Sequence, residues 1–576
     1  MIHSQHAARR TGALLRRHVM VWLVAGILLV CGWVLAGQPL AANTPLRPAD
    51  PPVMVLTRAN DNAHTGANLN ETVLGTTNVN TVTFGKLFTR TVDGQLYAQL
   101  LYVPNLDIPD HGVHNVIYAA TMKNNVYAFD ADDATLSAPL WQKNLGPAAP
   151  AIDWGASYKD ILGSVGILST PVIDPATNTL YTVALTKTVT NPGGITRYAH
   201  YLHALDITTG AEKFGGPVVI TGTVPGNGML GATVTFSSAI QMQRPALLLS
   251  NGVVYFAFGS YADQHNYHGW VMGYDAQTLQ QRYIMNTSPN ATNGTSVWQS
   301  GTGIAADDVG DLYLMTANGP YDSSLGNWGN SVLRIRPSAT VTSLLSVADW
   351  FAAYNQTALN LSDKDLGSGG PLLIPGTNHL AGGGKEGYMY LLDRGNLGHY
   401  TAGGPDNIVQ RFAISGTNLI FSTPVYWNGP NGPLIYIWIT KDRLRAYSLI
   451  VTDTQHVAFK LPAVAVGSAT APQPGGMLSI SANGNAAGSG IVWAFQPQTN
   501  ANQALVAGIL LAYNASNVSQ ELWNSTLLAK DAVGNFAKFN NPTIANGKVY
   551  VPTFSNQLVV YGLKLKPVYL PIVVRI

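Results

Sequence analysis

A plan of four short strands recurs down this chain at intervals of roughly 45–70 residues, which is the signature of a repeat architecture. Its clearest copy starts at Gly166 and reads GILSTPVIDPATNTLYTVALTKTVTNPGGITRYAHYLHALDITTGAEKF. Strands are predicted over Leu168–Ile173, Thr179–Leu185, Tyr201–Asp206 and Glu212–Ile220, rich in β-branched and aromatic residues and separated by small polar or Gly/Pro turns. One such sheet cannot bury both of its faces alone, so copies must stack, and radial stacking closes a propeller. Eight units follow, starting near Ala98, Gly166, Gln243, Trp298, Leu366, Ile420, Gly476 and Asn541. The expected fold is all-β: an eight-bladed β-propeller of four-stranded antiparallel blades over residues 81–565.

Three local features orient the blades. Prolines open the first strand of several units: Pro171, Pro371, Pro424 and Pro542. Proline donates no ladder hydrogen bond and belongs on an edge strand, here the innermost one facing the channel. The third strand tends to end in Asp130, Asp206, Asp275, Asp393 or Asn514, side chains suited to capping the amides of the following turn. The last unit offers only Pro542–Ile544, Val549–Thr553 and Leu558–Leu563, so its missing outer strand is assigned to Thr83–Val92 from the other end of the chain. That exchange closes the ring and removes its open edges.

The flanks are read separately. Arg9, Arg10, Arg16 and Arg17 precede an apolar run from Val19 to Ala36 and small residues at Gly37, Ala41 and Ala42, a pattern of export. Residues 1–42 are assigned as a signal peptide or membrane anchor helix, 43–80 as an extended leader, and 566–576 as a tail. The expected location is extracellular or cell envelope, with membrane contact only through the N-terminal segment. A net charge of +2, with 11% charged residues, argues against nucleic acid as a partner. Cys31 is the only cysteine and lies in the apolar run, so the mature chain has no disulfide, thiolate metal site or haem attachment.

The segments VYAFDADD…LWQKNLG and LHALDITTGAEKF, with GGGKEGYMYLLDR and NGKVYVPTFSNQLVVYGL, resemble pyrroloquinoline-quinone (PQQ) type repeats. Across Thr81–Leu565 the chain is similar to exported bacterial propellers of the quinoprotein alcohol dehydrogenase-like superfamily. The resemblance implies the ring and two functional readings. One is a quinone-dependent dehydrogenase binding PQQ over calcium; the other is a non-catalytic binding or scaffold protein, a role the same ring plays in outer-membrane protein assembly. The cysteine count removes the vicinal disulfide that often stacks on the quinone. The binding reading is the expected one, with a small molecule, glycan or envelope protein as ligand, no confidently assigned cofactor or metal, and a monomeric chain.

In an up-and-down blade, the loop leading into the inner strand and the turn between the second and third strands share one face of the ring. Candidates on that face are Trp298, Gln299 and Asp365 from loops leading in, and Lys123, Lys385, Glu386 and Lys441 from second-to-third turns. The long stretches Pro147–Val165, Lys187–Ala199, Gly222–Phe236, Ser260–Gly269 and Gly319–Gly329 add a mouth to one side of it. The most loaded is SYADQHNYHGW, with Asp263, His265, His268 and Trp270. Two histidines three apart on a loop are read as hydrogen-bonded or solvated rather than as metal ligands. Glu386 and Asp365 are weighed as an acid–base pair, and Trp298 as a stacking platform.

Overall fold

The computed structural model describes residues 53–190, 194–229, 231–338, 343–416 and 418–564. The predicted signal or anchor segment and the C-terminal tail lie outside these residues. None of the described helices is long and apolar enough to cross a membrane.

Eight blades are present, each built on four antiparallel strands, and all but the last run in chain order from an inner to an outer strand. In blade 1 the strands are Leu101–Ile108, Gly112–Ala120, Asn125–Asp130 and Trp141–Asn144. The inner strands of blades 2, 5, 6 and 8 begin at Val172, Leu372, Val425 and Thr543, each one residue after its proline. The imide thus stands just outside the ladder, where no N–H is missed. Blade 8 closes as predicted: Phe84–Thr91 pairs antiparallel with Gln557–Leu563.

Each blade is buried on both faces, because a separate apolar cluster fills every gap between neighbours. Tyr118, Ile173 and Leu205 lie between blades 1 and 2, for example, and Tyr102, Phe129 and Val560 between blades 8 and 1. The strands therefore read as near-continuous apolar runs instead of alternating ones.

The aspartates that end the third strands perform the predicted capping. Asp206 accepts from the Thr208 amide at 2.8 Å, Asp275 from Gln277 and Thr278 at 3.0 and 2.9 Å, and Asp393 from Gly395 at 2.8 Å. The capped turn also presents the next carbonyl to the preceding blade, where a second-strand tyrosine meets it. Tyr118, Tyr181, Tyr436 and Tyr550 donate to the carbonyls of Ile207, Ala276, Ala515 and Ala131 at 2.9, 2.8, 2.7 and 3.2 Å. Capping and inter-blade locking are one device.

One expectation about connections needs correction. The stretch Lys187–Ala199 is largely not a loop: the second and third strands of blade 2 run on as a hairpin paired from Thr179↔Asp206 to Thr190↔Ile195. Alternating Thr and Val supply β-propensity beyond the core. Within the leader, residues 55–68 run around the inside of the channel and meet the inner strands in blade order. Val55 exchanges backbone hydrogen bonds with Tyr102, and Leu56 accepts from Ile173. Asn62 donates to Leu249 and accepts from Ala306, and Ala63, Thr65 and Gly66 accept from Leu373, Tyr426 and Ile480. Asn68 donates to Ile544. Inner strands are edges with unpaired groups, and this collar gives each of the eight one partner. The chain then passes by Glu71, whose carboxylate accepts from Gly547 at 3.0 Å, toward the closing strand.

Candidate functional site

The collar occupies one end of the channel. At the other end lies a cavity of about 520 Å³, lined by Tyr158, Asp160, Arg244, Asp263, Trp298, Asp363, Asp365, Lys385, Phe421, Lys538 and Phe539, among others. Every one of these residues sits in a loop leading into an inner strand or in a second-to-third connection, the two positions that topology places on one face.

Its floor is aromatic. Trp298, Phe421 and Phe539 form a triangle with ring centroids 6.2, 6.3 and 5.8 Å apart. Phe421 and Phe539 are buried and Trp298 half-buried, so one indole face meets the cavity. The loop 147–165 walls one side by stacking Trp154 on Tyr261 at 3.9 Å, and Gln264 ties the blade 3 loop to the Trp154 carbonyl at 3.0 Å.

Cations ring this floor in two different states. The Lys385 ammonium lies 2.7 Å from Asp365 and 3.1 Å from Asp363, and 5.8 Å from the Trp298 ring centre. Asp365 also accepts from the Asn318 amide at 2.8 Å. Burial first, and with it the charge of Asp363, push the Asp365 carboxyl up against the pull of Lys385. Burial would depress Lys385, but the charges and hydrogen bonds of Asp365 and Asp363 together outweigh it and hold the lysine charged. With two donors on the carboxylate, the pair is ionised.

Arg244 and Lys538 are different. Both are 5% exposed, and neither has a carboxylate within ion-pair distance among the described residues. The Arg244 guanidinium lies 4.7 Å from the Phe539 ring centre and 6.0 Å from that of Trp298, and its Nη2 is buried without a hydrogen-bond partner. Burial lowers its pKa. Lys538 sits 5.9 Å from the Phe539 centroid and donates to the Asn502 carbonyl. Burial first, and then the charge of Arg244, bring its pKa down to about 7.

The structure brings together Trp298, Asp365, Lys385 and Asp263 of the predicted candidates. Asp263 accepts from Ser260 Oγ at 2.5 Å at the mouth. The others stand elsewhere. Gln299 is fully buried and spends its amide on blade 4, donating to Gly303 and accepting from Met315. Glu386 points away from Asp365, accepting from Tyr390 at 2.9 Å, Asn355 at 2.7 Å and Arg411 at 2.8 Å, so the two carboxylates do not form a pair. His268 is buried and shares a hydrogen bond with Ser288, and Trp270 lies in the core between blades 2 and 3. His265, Lys123 and Lys441 are exposed and do not line the cavity.

Sequence reasoning missed Arg244, Phe421, Lys538 and Phe539. The signal was available: each lies one to four residues before the proline of an inner strand or its approach, in Arg244-Pro245, Phe421-Ser-Thr-Pro424 and Lys538-Phe539-Asn-Asn-Pro542. The positional rule that selected Trp298 selects them too.

No protein-family model matches the sequence, and no curated protein does. Solved structures do resemble the fold. A quinohemoprotein alcohol dehydrogenase from Pseudomonas putida HK5 superimposes with a TM-score of 0.51 at 13% identity, over 89% of this chain and 81% of that one. A europium-containing methanol dehydrogenase gives 0.47 at 13%, over 88% and 98%. BamB from Moraxella catarrhalis gives 0.42 at 10%, over 83% and 99%. At such identities the likeness is one of architecture, and what it establishes is an all-β, eight-bladed ring of the kind PQQ-type repeats build.

Proposed function

We propose that this chain is an exported binding protein whose channel mouth takes a small, flat anion, such as an aromatic or conjugated carboxylate. The observation that carries the reading is the pair Arg244 and Lys538, two buried basic side chains with no carboxylate partner among the described residues, beside the Trp298–Phe421–Phe539 floor. An uncompensated buried charge costs several kcal/mol, about 3–5 when a pair is broken. A ligand that brings the counter-charge removes that cost on binding, while aromatic faces favour a planar body. Export rests on the apolar run Val19–Ala36 behind four arginines.

The alternative, a PQQ-dependent dehydrogenase, fits in part. Arg244, Lys538 and Trp298 suit a flat polycarboxylate. Calcium does not fit, because the Lys385 ammonium already sits between Asp363 and Asp365 and a divalent cation would have to displace it. No group of three or more His, Cys, Asp or Glu side chains poised for a metal occurs among the described residues.

The test is a thermal shift and calorimetric titration with phthalate, its neutral diamide, a neutral oligosaccharide series, and PQQ with and without calcium. Phthalate should bind and the diamide should not. Binding of neutral glycans with none of anions would overturn the reading. Calcium-dependent PQQ binding with dye-linked alcohol oxidation would install the dehydrogenase instead.

A further inference from the structure

Three lysines, Lys364, Lys385 and Lys538, line this mouth, and Lys385 is neutralised by acids while Lys538 is buried with no carboxylate partner among the described residues. Lys385 is gripped by Asp363 and Asp365 and stays an ammonium. Among the described residues, Lys538 has a carbonyl for its hydrogen-bond partner, and a carbonyl accepts that hydrogen bond without offsetting the charge. The charged groups that act on it are Arg244, which disfavours a second cation, and Asp160, whose weaker pull opposes this. Asp263, Asp363, Asp365 and Lys385 belong to blades 3 and 5, across the axis from blade 8. A primary amine in such surroundings spends a substantial fraction of its time as the free base near neutral pH, which is the state that attacks carbonyl carbon.

Arg244 completes the arrangement. It is held over the same Phe539 ring as Lys538, and its Nη2 lacks an acceptor. A guanidinium so placed takes a carboxylate through two parallel N–H···O bonds. One small molecule bearing both a carboxylate and a carbonyl would therefore be anchored at one end and open to attack at the other.

We propose that Lys538 captures small oxo acids as a reversible imine, with Arg244 holding the carboxylate. The inference rests on the anion-binding reading of the mouth given above. The Lys538 nitrogen lone pair forms a C–N bond to the carbonyl carbon as the C=O π pair moves to oxygen. The nitrogen then gives up its two protons in turn, the oxygen gains two, and water departs to leave a neutral C=N. No oxidant or reductant is consumed, and hydrolysis returns both partners.

The experiment uses the full chain incubated with glyoxylate or acetaldehyde and cyanoborohydride, read by intact mass and peptide mapping. Glyoxylate should give one reduced adduct per chain, on Lys538, and Lys538→Arg should lose it while keeping the thermal midpoint of the parent. Arg244→Gln should slow glyoxylate labelling about tenfold, the loss of one charge-assisted contact, and acetaldehyde labelling less than about twofold. Adduct spread over surface lysines, or persisting in Lys538→Arg, overturns the proposal. Equal slowing of both carbonyl compounds in Arg244→Gln overturns the role of the carboxylate. If phthalate binds but glyoxylate leaves no adduct, the imine falls and the anion mouth stands; if phthalate also fails to bind, both fall.

Discussion

The two ends of the channel treat buried charge in opposite ways. At the collar end, Arg58 is enclosed and its Nη2 donates to the Phe539 carbonyl at 2.7 Å and the Asn541 side chain at 3.0 Å. Burial lowers its pKa only to about 10, so it stays charged and partnered. His64 beside it gives a ring N–H to the Pro371 carbonyl at 3.1 Å and is kept neutral, its pKa pushed down to about 4 chiefly by burial. At the mouth end Arg244 Nη2 has no acceptor among the described residues, and Lys538 has one that does not neutralise it. One end is finished by the chain itself, and the other is left for something else to finish. Substitutions at the collar should therefore act on stability, and those at the mouth on binding.

The largest effect is expected at Gly66. It has φ +70°, and an added Cβ would lie 2.5 Å from Val425 Cγ1 while the Gly66 carbonyl is committed to Ile480. Gly66→Ala should cost about 4 kcal/mol in denaturant unfolding, from left-handed strain plus overpacking. A drop in phthalate affinity without loss of stability would break the contrast between the two ends.

Acid comes next. The unfolded chain takes up a proton on His64 below the ordinary imidazole value, while the folded chain does so only near pH 4. Stability is thus fully present above the ordinary value, falls as pH drops toward 4, and levels off beneath it, by up to about 3 kcal/mol. His64→Asn keeps a donor for Pro371 and a side chain tolerant of the +63° φ, and should flatten that slope. His200, also buried and lowered to about 3, leaves a residual slope of the same sign.

At the mouth, Arg244→Met should weaken phthalate binding at least about tenfold while the unfolding midpoint holds or rises, since an unpaired buried cation has been removed. A fall in stability would mean that Arg244 has a structural partner and that the two ends differ less than their geometry implies. The smallest effect is expected at the rim: Lys123→Ser and Lys441→Asn should change affinity less than about twofold, both side chains being exposed and outside the cavity lining.

What was readable in the sequence tracks what is local. Proline before the inner strand, Asp at the end of the third, and the missing outer strand of the last unit each reflect a backbone need within a few residues, or a simple count of strands. They led to the right ring and the right closing strand, Phe84–Thr91. The candidate site was half legible. The face was correct because alternating strand direction dictates it, and Trp298, Asp365, Lys385 and Asp263 do converge. Glu386 was misplaced because neighbours in a strand-starting turn point to opposite sides, and His268 and Trp270 because a residue's place in a loop does not say which side of it is core. The collar was invisible for a related reason: its bonds join residues 55–68 to positions up to 483 residues away, and backbone carbonyls carry no residue-type signature.

By itself, then, the sequence determined the repeat, the blade count, the chain-end exchange and the face on which a mouth must open. Those follow from periodicity and strand direction, which are one-dimensional properties. Only the tertiary structure decided which cations are neutralised and which are left open. Lys385 and Lys538 are the same residue type on the same rim, and they differ because two aspartates reach one ammonium while an arginine and a backbone carbonyl face the other. Coulomb energy in a buried site depends on distances of a few ångströms, and those are set by folding loops together from blades hundreds of residues apart.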